Sequence, residues 1–252
     1  MSLALLALLA GAVVGLALGV LGGGGSVLAV PALIYLLGFT PVAATTASLV
    51  IVSVTSATAL SAHARDGYVQ WRTGLLFAAA GVVPAMLGGL LAARLPGRVL
   101  TLGFGVVAMV AAWRMLGARG GSESSVAPST PVRPVRASVA GAGLGGVTGV
   151  LGVGGGFLAV PALVGVLGLR MRAAVGTSLL VITVNSVAAL GLRAGTVHDL
   201  DWSRVAPFAG AALLGAWDGR RLSARFSGPG LQRAFAWVLL GVAGLMLLDG
   251  VL

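Results

Sequence analysis

The sequence contains no cysteine, and its 16 basic residues are all arginine, so lysine is absent as well. Without cysteine there is no disulfide, no thiolate nucleophile and no thiolate metal site. Without lysine no Schiff base can form, and a phosphate-cradling P-loop lacks its essential side chain. The chain is therefore not the ATPase of a pump. Six acidic residues and two histidines are scattered over 252 residues, which argues against a metal centre or a cation permease. Neither a cofactor nor a metal is expected. Charged residues make up only 9% of the chain, against about a quarter in soluble domains, so an ordinary soluble fold is excluded. With 58% hydrophobic residues, a disordered chain is excluded too.

What is present is apolar surface in long runs, with a mean hydropathy of +1.06. At about 20 apolar residues per crossing, most of the chain could serve about eight to ten membrane segments. Five such segments run over residues 3–21, 27–37, 42–62, 73–93 and 99–116. Five more run over 137–151, 157–167, 173–192, 205–222 and 231–248. Between the two sets, Gly117–Arg136 is rich in Ser and Pro and reads as a flexible linker. The organisation is a first membrane repeat over 1–116, the linker over 117–136, and a second repeat over 137–252. The first segment lacks a basic flank and recurs later in the chain, so it does not read as a removable signal peptide. A net charge of +10 suggests nucleic acid at first sight. The arginines instead sit in short loops between apolar segments, where they set topology. The lipid bilayer, not nucleic acid, is the expected partner.

Glycine and proline recur in register at an offset of 130 residues. Gly11, Gly15 and Gly19 match Gly141, Gly145 and Gly149. Leu28-Ala29-Val30-Pro31-Ala32-Leu33 matches Leu158-Ala159-Val160-Pro161-Ala162-Leu163. Gly38 answers Gly168, and Ser48-Leu49 answers Ser178-Leu179. Chance similarity between apolar segments does not keep Gly and Pro in step, so the fold class is an all-α polytopic membrane protein of two homologous halves.

Arginine placement bears on how the halves are related. If every segment crosses, one face holds twelve arginines and the other four. If residues 27–37 and 157–167 are re-entrant, the division is eight to eight. The asymmetric division fits the positive-inside rule, with inverted halves, a cytoplasmic linker and both termini outside. The 11-residue segments span only about 17 Å as helix, short of a core of about 30 Å. They are short broken helices that share their crossing with Gly-rich backbone, tolerated only where it is buried in protein or lines a cavity.

Two glycine runs interrupt the apolar pattern: Gly22–Gly25 with Ser26, and Gly152 with Gly154, Gly155 and Gly156. Glycine lets a ligand approach backbone N–H groups closely. A helix N-terminus following each run attracts anions. The competing reading is a tight turn between packed helices. Candidate donors are Gly24, Gly25, Ser26, Gly154, Gly155 and Gly156. Hydroxyls follow at Thr46 and Ser48 and at Thr177 and Ser178, placed to coordinate oxyanion oxygens or simply to bond back to their own helix. Thr183, Asn185 and Ser186 extend this polar face. Asn185 needs a partner in lipid and serves either ligand or helix contact. Small residues at four-residue spacing read as helix-packing stripes: Gly11, Gly15, Gly19; Gly141, Gly145, Gly149; Gly81, Ala85, Gly89; and Ala211, Gly215, Gly219. Asp218 beside Arg220 and Arg221 reads as an interfacial pair. His63 and Arg193 stand at the ends of matching segments, as anchors or as attractors at an entrance.

The duplicated element Gly15–Leu33 and Gly145–Leu163, with Gly176-Thr177-Ser178, resembles the sulfite exporter TauE/SafE family of membrane proteins. The resemblance covers nearly the whole chain. It implies transport of sulfur-containing anions such as sulfite or organosulfonates across the cell inner membrane. The first half departs from the pattern, with Thr46-Ala47-Ser48 where Gly-Thr-Ser is expected. The combined expectation is secondary transport of a small oxyanion, bound between facing helix ends while one repeat rocks against the other. An anion channel and a membrane-embedded assembly partner without transport are the alternatives. An intramembrane enzyme is disfavoured by the missing cysteine, the separation of His63 from His198, and the lack of paired acids in any span. A second copy of the chain is a candidate partner.

Overall fold

Every expected apolar segment is helical in the computed structural model, with ends within three residues of those read from the sequence, the 27–37 segment being divided between an α-helix and a π-helical turn. The structure describes residues 3–21, 24–92, 96–117, 134–151, 156–192, 200–223 and 228–251. Among these there are ten α-helices and no strand. The first half holds α1 (Leu3–Leu21), α2 (Gly24–Pro31), α3 (Pro41–Arg65), α4 (Trp71–Ala92) and α5 (Gly97–Gly117). The second holds α6 (Pro134–Leu151), α7 (Gly156–Gly165), α8 (Met171–Leu192), α9 (Trp202–Ser223) and α10 (Gly228–Val251). Gly117 closes α5 and Pro134–Arg136 open α6; the rest of the expected linker, 118–133, lies outside the described residues.

Local chemistry sets the helix ends. Thr40 caps α3, its hydroxyl accepting from Ala43 N, with Pro41 at the first helical position where no N–H is needed. Asp201 precedes α9 and accepts from Ser203 N at 3.1 Å. After Pro31 the chain widens into a π-helical turn, Ala32–Leu36, whereas α7 runs through the matching Pro161 as α-helix. That turn and α7 both close on a left-handed glycine, Gly38 at φ +69° and Gly168 at φ +68°. Beyond them Phe39 N donates to Leu33 O and Leu169 N to Leu163 O, a shared closure one residue wider than the usual six-to-one bond.

Five helices are long and apolar enough to cross a membrane: α3, α4, α5, α8 and α10. Residues Leu5–Leu21 of α1 form a shorter apolar helix. Large apolar side chains point outward, among them Leu9, Leu90, Trp113, Leu214, Trp237 and Leu245, the arrangement a lipid solvent favours.

Helices pair across the two halves. α1 lies along α9, α4 along α6, α5 along α10 and α3 along α8. The first two pairs are parallel: Gly11, Gly15 and Gly19 face Phe208, Ala212 and Ala216 in order, and Gly141, Gly145 and Gly149 face Phe77, Gly81 and Ala85. The small-residue stripes are thus where backbones touch. The other two pairs are antiparallel. Gly105 of α5 meets Ala243 and Leu247 of α10, while Gln232 Nε2 donates to Met115 O at 2.6 Å. Thr183 of α8 bonds Ser56 of α3, while the start of α8 sits at the end of α3, where Gln70 N donates to Thr177 Oγ1.

Candidate functional site

The two short helices pack against each other, α2 also against α3 and α7 against α8. Gly24, Gly25 and Ser26 form the first turn of α2 rather than a turn before it, so their N–H groups are among those a helix start leaves unpaired within the helix. Gly156 is buried and opens α7. Gly154 and Gly155, with Gly22, Gly23 and Gly152, lie outside the described residues. So does Arg193, and so does His198.

Thr46 and Ser48 are buried near the start of α3, as are Thr177 and Ser178 near the start of α8. Ser48 Oγ donates to Thr45 O and Ser178 Oγ to Val175 O, each at 2.8 Å, so these matched serines use their hydrogens on their own helices. The serines keep lone pairs only. Thr177 differs, because its Oγ1 accepts from Gln70 N at 3.1 Å and ties α8 to the connection between α3 and α4. Gly176 lies where a Cβ would come 3.1 Å from Tyr68 O, so the same connection presses on the helix one residue earlier. Asn185 lies further along α8, and its Oδ1 is buried without a partner. Sequence reasoning did not single out Ser53, Thr55 and Ser56 at mid-α3. The signal was available: at the repeat offset of 130 they correspond to Thr183, Asn185 and Ser186.

Charge stays at the ends. Twelve buried polar residues are found among those described, and none is Asp, Glu or Arg. Arg172, at the start of α8, lies over the Tyr68 ring at 6.0 Å and reaches its hydroxyl at 3.4 Å. Arg204 pairs with Asp201 at 3.0 Å and donates to Leu37 O at 3.3 Å. The Ser203 hydroxyl, with further help from backbone donors and Arg204, holds the Asp201 carboxyl below its ordinary value of 3.8. Asp218 and Arg221 form the expected surface pair at 3.9 Å. His63 is buried rather than placed as a surface anchor, with Nδ1 3.0 Å from Ala59 O. Among the described residues no group of three or more His, Asp or Glu is placed to hold a metal. A cavity of about 480 Å³ lies between α5, α6 and α7, lined by apolar side chains such as Val107, Leu144 and Leu158 with Arg114 as its charged member. That lining suits an acyl chain better than a hydrated anion.

Comparison with known proteins adds an independent line. The sulfite exporter TauE/SafE family profile matches residues 7–246. A "Probable membrane transporter protein" of Xylella fastidiosa strain 9a5c is 36% identical over 239 residues, covering 92% of this chain and 90% of the relative. A second protein so named, from strain Temecula1 / ATCC 700964, is 35% identical over 238 residues, with the same coverage. No solved structure matches. The chain is an integral membrane protein, on the strength of its apolar helices and this match.

Proposed function

We propose that this chain, which belongs to the sulfite exporter TauE/SafE family, is a secondary transporter of a small sulfur-containing anion, sulfite or an organosulfonate, across the cytoplasmic membrane. The observation that carries the reading is the contact between α2 and α7. Each is a short helix that starts in a glycine run, and each is flanked by a helix with buried hydroxyls. The anion lies between the two starts, held by backbone N–H groups of Gly24, Gly25 and Ser26 and of Gly154, Gly155 and Gly156. Thr46, Ser48, Thr177, Ser178 and Asn185 complete its surroundings, the two serines by rotating their hydroxyls off their own helices. Backbone donors at a helix start bind an anion without the cost of burying an arginine at the bilayer centre.

Helix directions support inverted halves. α3 meets its counterpart α8 antiparallel, and α5 meets α10 antiparallel. A two-fold axis along the membrane normal makes such counterparts parallel; an axis in the membrane plane makes them antiparallel. The same axis relates the α1–α9 pair to the α4–α6 pair.

Flux of labelled sulfite and several sulfonates into proteoliposomes, with and without a pH gradient, tests the reading. Saturable flux is expected; flux linear in substrate identifies a channel, and no flux identifies an assembly partner. Gly155→Ala should weaken transport, and Gly155→Asp should abolish it while the protein still inserts. Normal transport by Gly155→Asp would remove the anion from this site.

A further inference from the structure

Polar burial is concentrated on two helices. Of the twelve buried polar residues among those described, nine belong to α3 or α8. These are also the most enclosed candidate spans, 56% buried each against 28–39% for the other three. Near the middle of both, Ser56 Oγ and Thr183 Oγ1 meet at 2.9 Å. The antiparallel register then sets Ser53 opposite Ser186, one turn along, and both are buried. Ser53 is more than nine-tenths buried, yet its Oγ has no hydrogen-bond partner. Its neighbour Thr55 satisfies itself on Ile51 O at 2.6 Å, as hydroxyls in membrane helices commonly do. A buried hydroxyl without a partner calls for an explanation, and a role in holding a ligand is one.

We propose that the seam between α3 and α8 is where the anion crosses the middle of the membrane, with Ser53, Ser56, Thr183 and Ser186 as the hydroxyl station that replaces its water there. The proposal rests on the transport reading above and adds a second position to it. Hydroxyls rotate, so each can donate to a passing oxyanion and return its hydrogen to the helix afterwards. Ser56 and Thr183 give up their mutual bond when the anion arrives, and the two helices part by its width. A neutral station also holds weakly. Conduction needs binding strong enough for entry and weak enough for exit, and a fixed arginine at this depth would trap the ion. Hydroxyl oxygens also suit a small cation, and the test separates the two.

The absence of cysteine makes the test direct. Single variants Ser53→Cys and Ser56→Cys are compared with Val54→Cys, whose parent side chain is exposed on the outer surface of the helix. In proteoliposomes a small charged methanethiosulfonate should modify both seam cysteines and leave the Val54 variant unmodified, and methanesulfonate should slow the reaction several-fold. The double variant Ser56→Cys/Thr183→Cys should carry methanesulfonate more slowly than the cysteine-free parent while reduced, fall to background once oxidised, and recover its reduced rate on reduction. Sulfite is avoided in this arm because it cleaves disulfides. Seam cysteines inert in a parent that transports would overturn the station, as would full flux through the cross-linked pair. Protection by sodium but not by anion would assign the position to a cation and overturn it equally. No flux through the cysteine-free parent counts against the transport reading itself.

Discussion

Replacing Gly15 with alanine puts one methyl group where two backbones already touch. Its Cβ would stand 2.6 Å from both the carbonyl carbon and the Cα of Ala212, and closer still to the Ala212 oxygen. Ordinary contact begins at 3.4 Å, so α1 and α9 must separate locally by at least 0.8 Å. No side chain can rotate out of the way, because the obstructing atoms are main chain. A gap of about 0.5–1 Å forfeits a quarter to a half of the dispersion energy of each neighbouring contact. Overpacked cores lose about 1–3 kcal/mol, and a backbone obstruction belongs at the upper end of that range.

Gly143 supplies the control within the matching helix α6, since a Cβ there meets nothing within 4 Å. Gly143→Ala should be neutral or slightly stabilising. At roughly 2–4 °C per kcal/mol for a chain near this size, Gly15→Ala should melt roughly 4–12 °C below it. Thermal unfolding in detergent, followed by the fluorescence of the five tryptophans, reads the difference. Gly145→Ala should behave like Gly15→Ala, because its Cβ meets the Gly81 backbone in the same way. Equal melting of the Gly15→Ala and Gly143→Ala variants would refute the claim that close backbone approach holds these pairs.

Four further outcomes are expected. Thr177→Val removes the acceptor for Gln70 N and should cost about 1–2 kcal/mol in unfolding experiments, with a roughly tenfold loss of anion affinity if the hydroxyl also serves the site. Gln232→Leu leaves Met115 O without the Nε2 donor and should lower stability by about 1–2 kcal/mol on the same assay. Reporter fusions at Leu116 and Leu252 should land on opposite faces of the membrane; both on one face would sink the inverted arrangement. The Asp201 carboxyl is held below its unfolded value, so its contribution is complete above that value and is lost as pH falls through the folded one. Asp201→Asn should therefore flatten the acid limb of a melting-temperature profile slightly, and an unchanged limb would contradict the pairing.

Helix positions were legible because each apolar run has the length of a helix and is bounded by Gly, Pro or Arg. The repeat offset carried detail as fine as the left-handed Gly38 and Gly168. Pairing was not legible. The stripes at Gly15, Gly145, Gly81 and Gly215 announce close approach, but small residues fit several partners equally, and only the packed structure joins α1 to α9. The π turn after Pro31 was equally hidden, since Pro161 sits in an identical hexapeptide and continues as α-helix. The difference arises beyond the shared residues, where Ile34-Tyr35-Leu36 stands against Val164-Gly165-Val166. Ser53, Thr55 and Ser56 went unnoticed because a hydroxyl in a membrane helix usually bonds its own backbone; burial without a partner is a property of the fold, not of the residue.

The pairing also bears on which bodies move. Rocking one half against the other, the motion suggested by a duplicated sequence, would pull α1 from α9 and α4 from α6. Those are the contacts where backbones approach most closely, and they have no side chains to stretch across a gap. The α3–α8 seam is different: its mid-span contact is a hydroxyl pair that can exchange partners with a ligand or with water. Motion that preserves the glycine contacts and opens the hydroxyl contact costs less. On the proposed transport reading, the bodies expected to move are the pairs α1 with α9 and α4 with α6, each built from both halves of the sequence. The proposed inverted arrangement is compatible with this scheme, because an axis in the membrane plane that exchanged the halves would also exchange the two pairs.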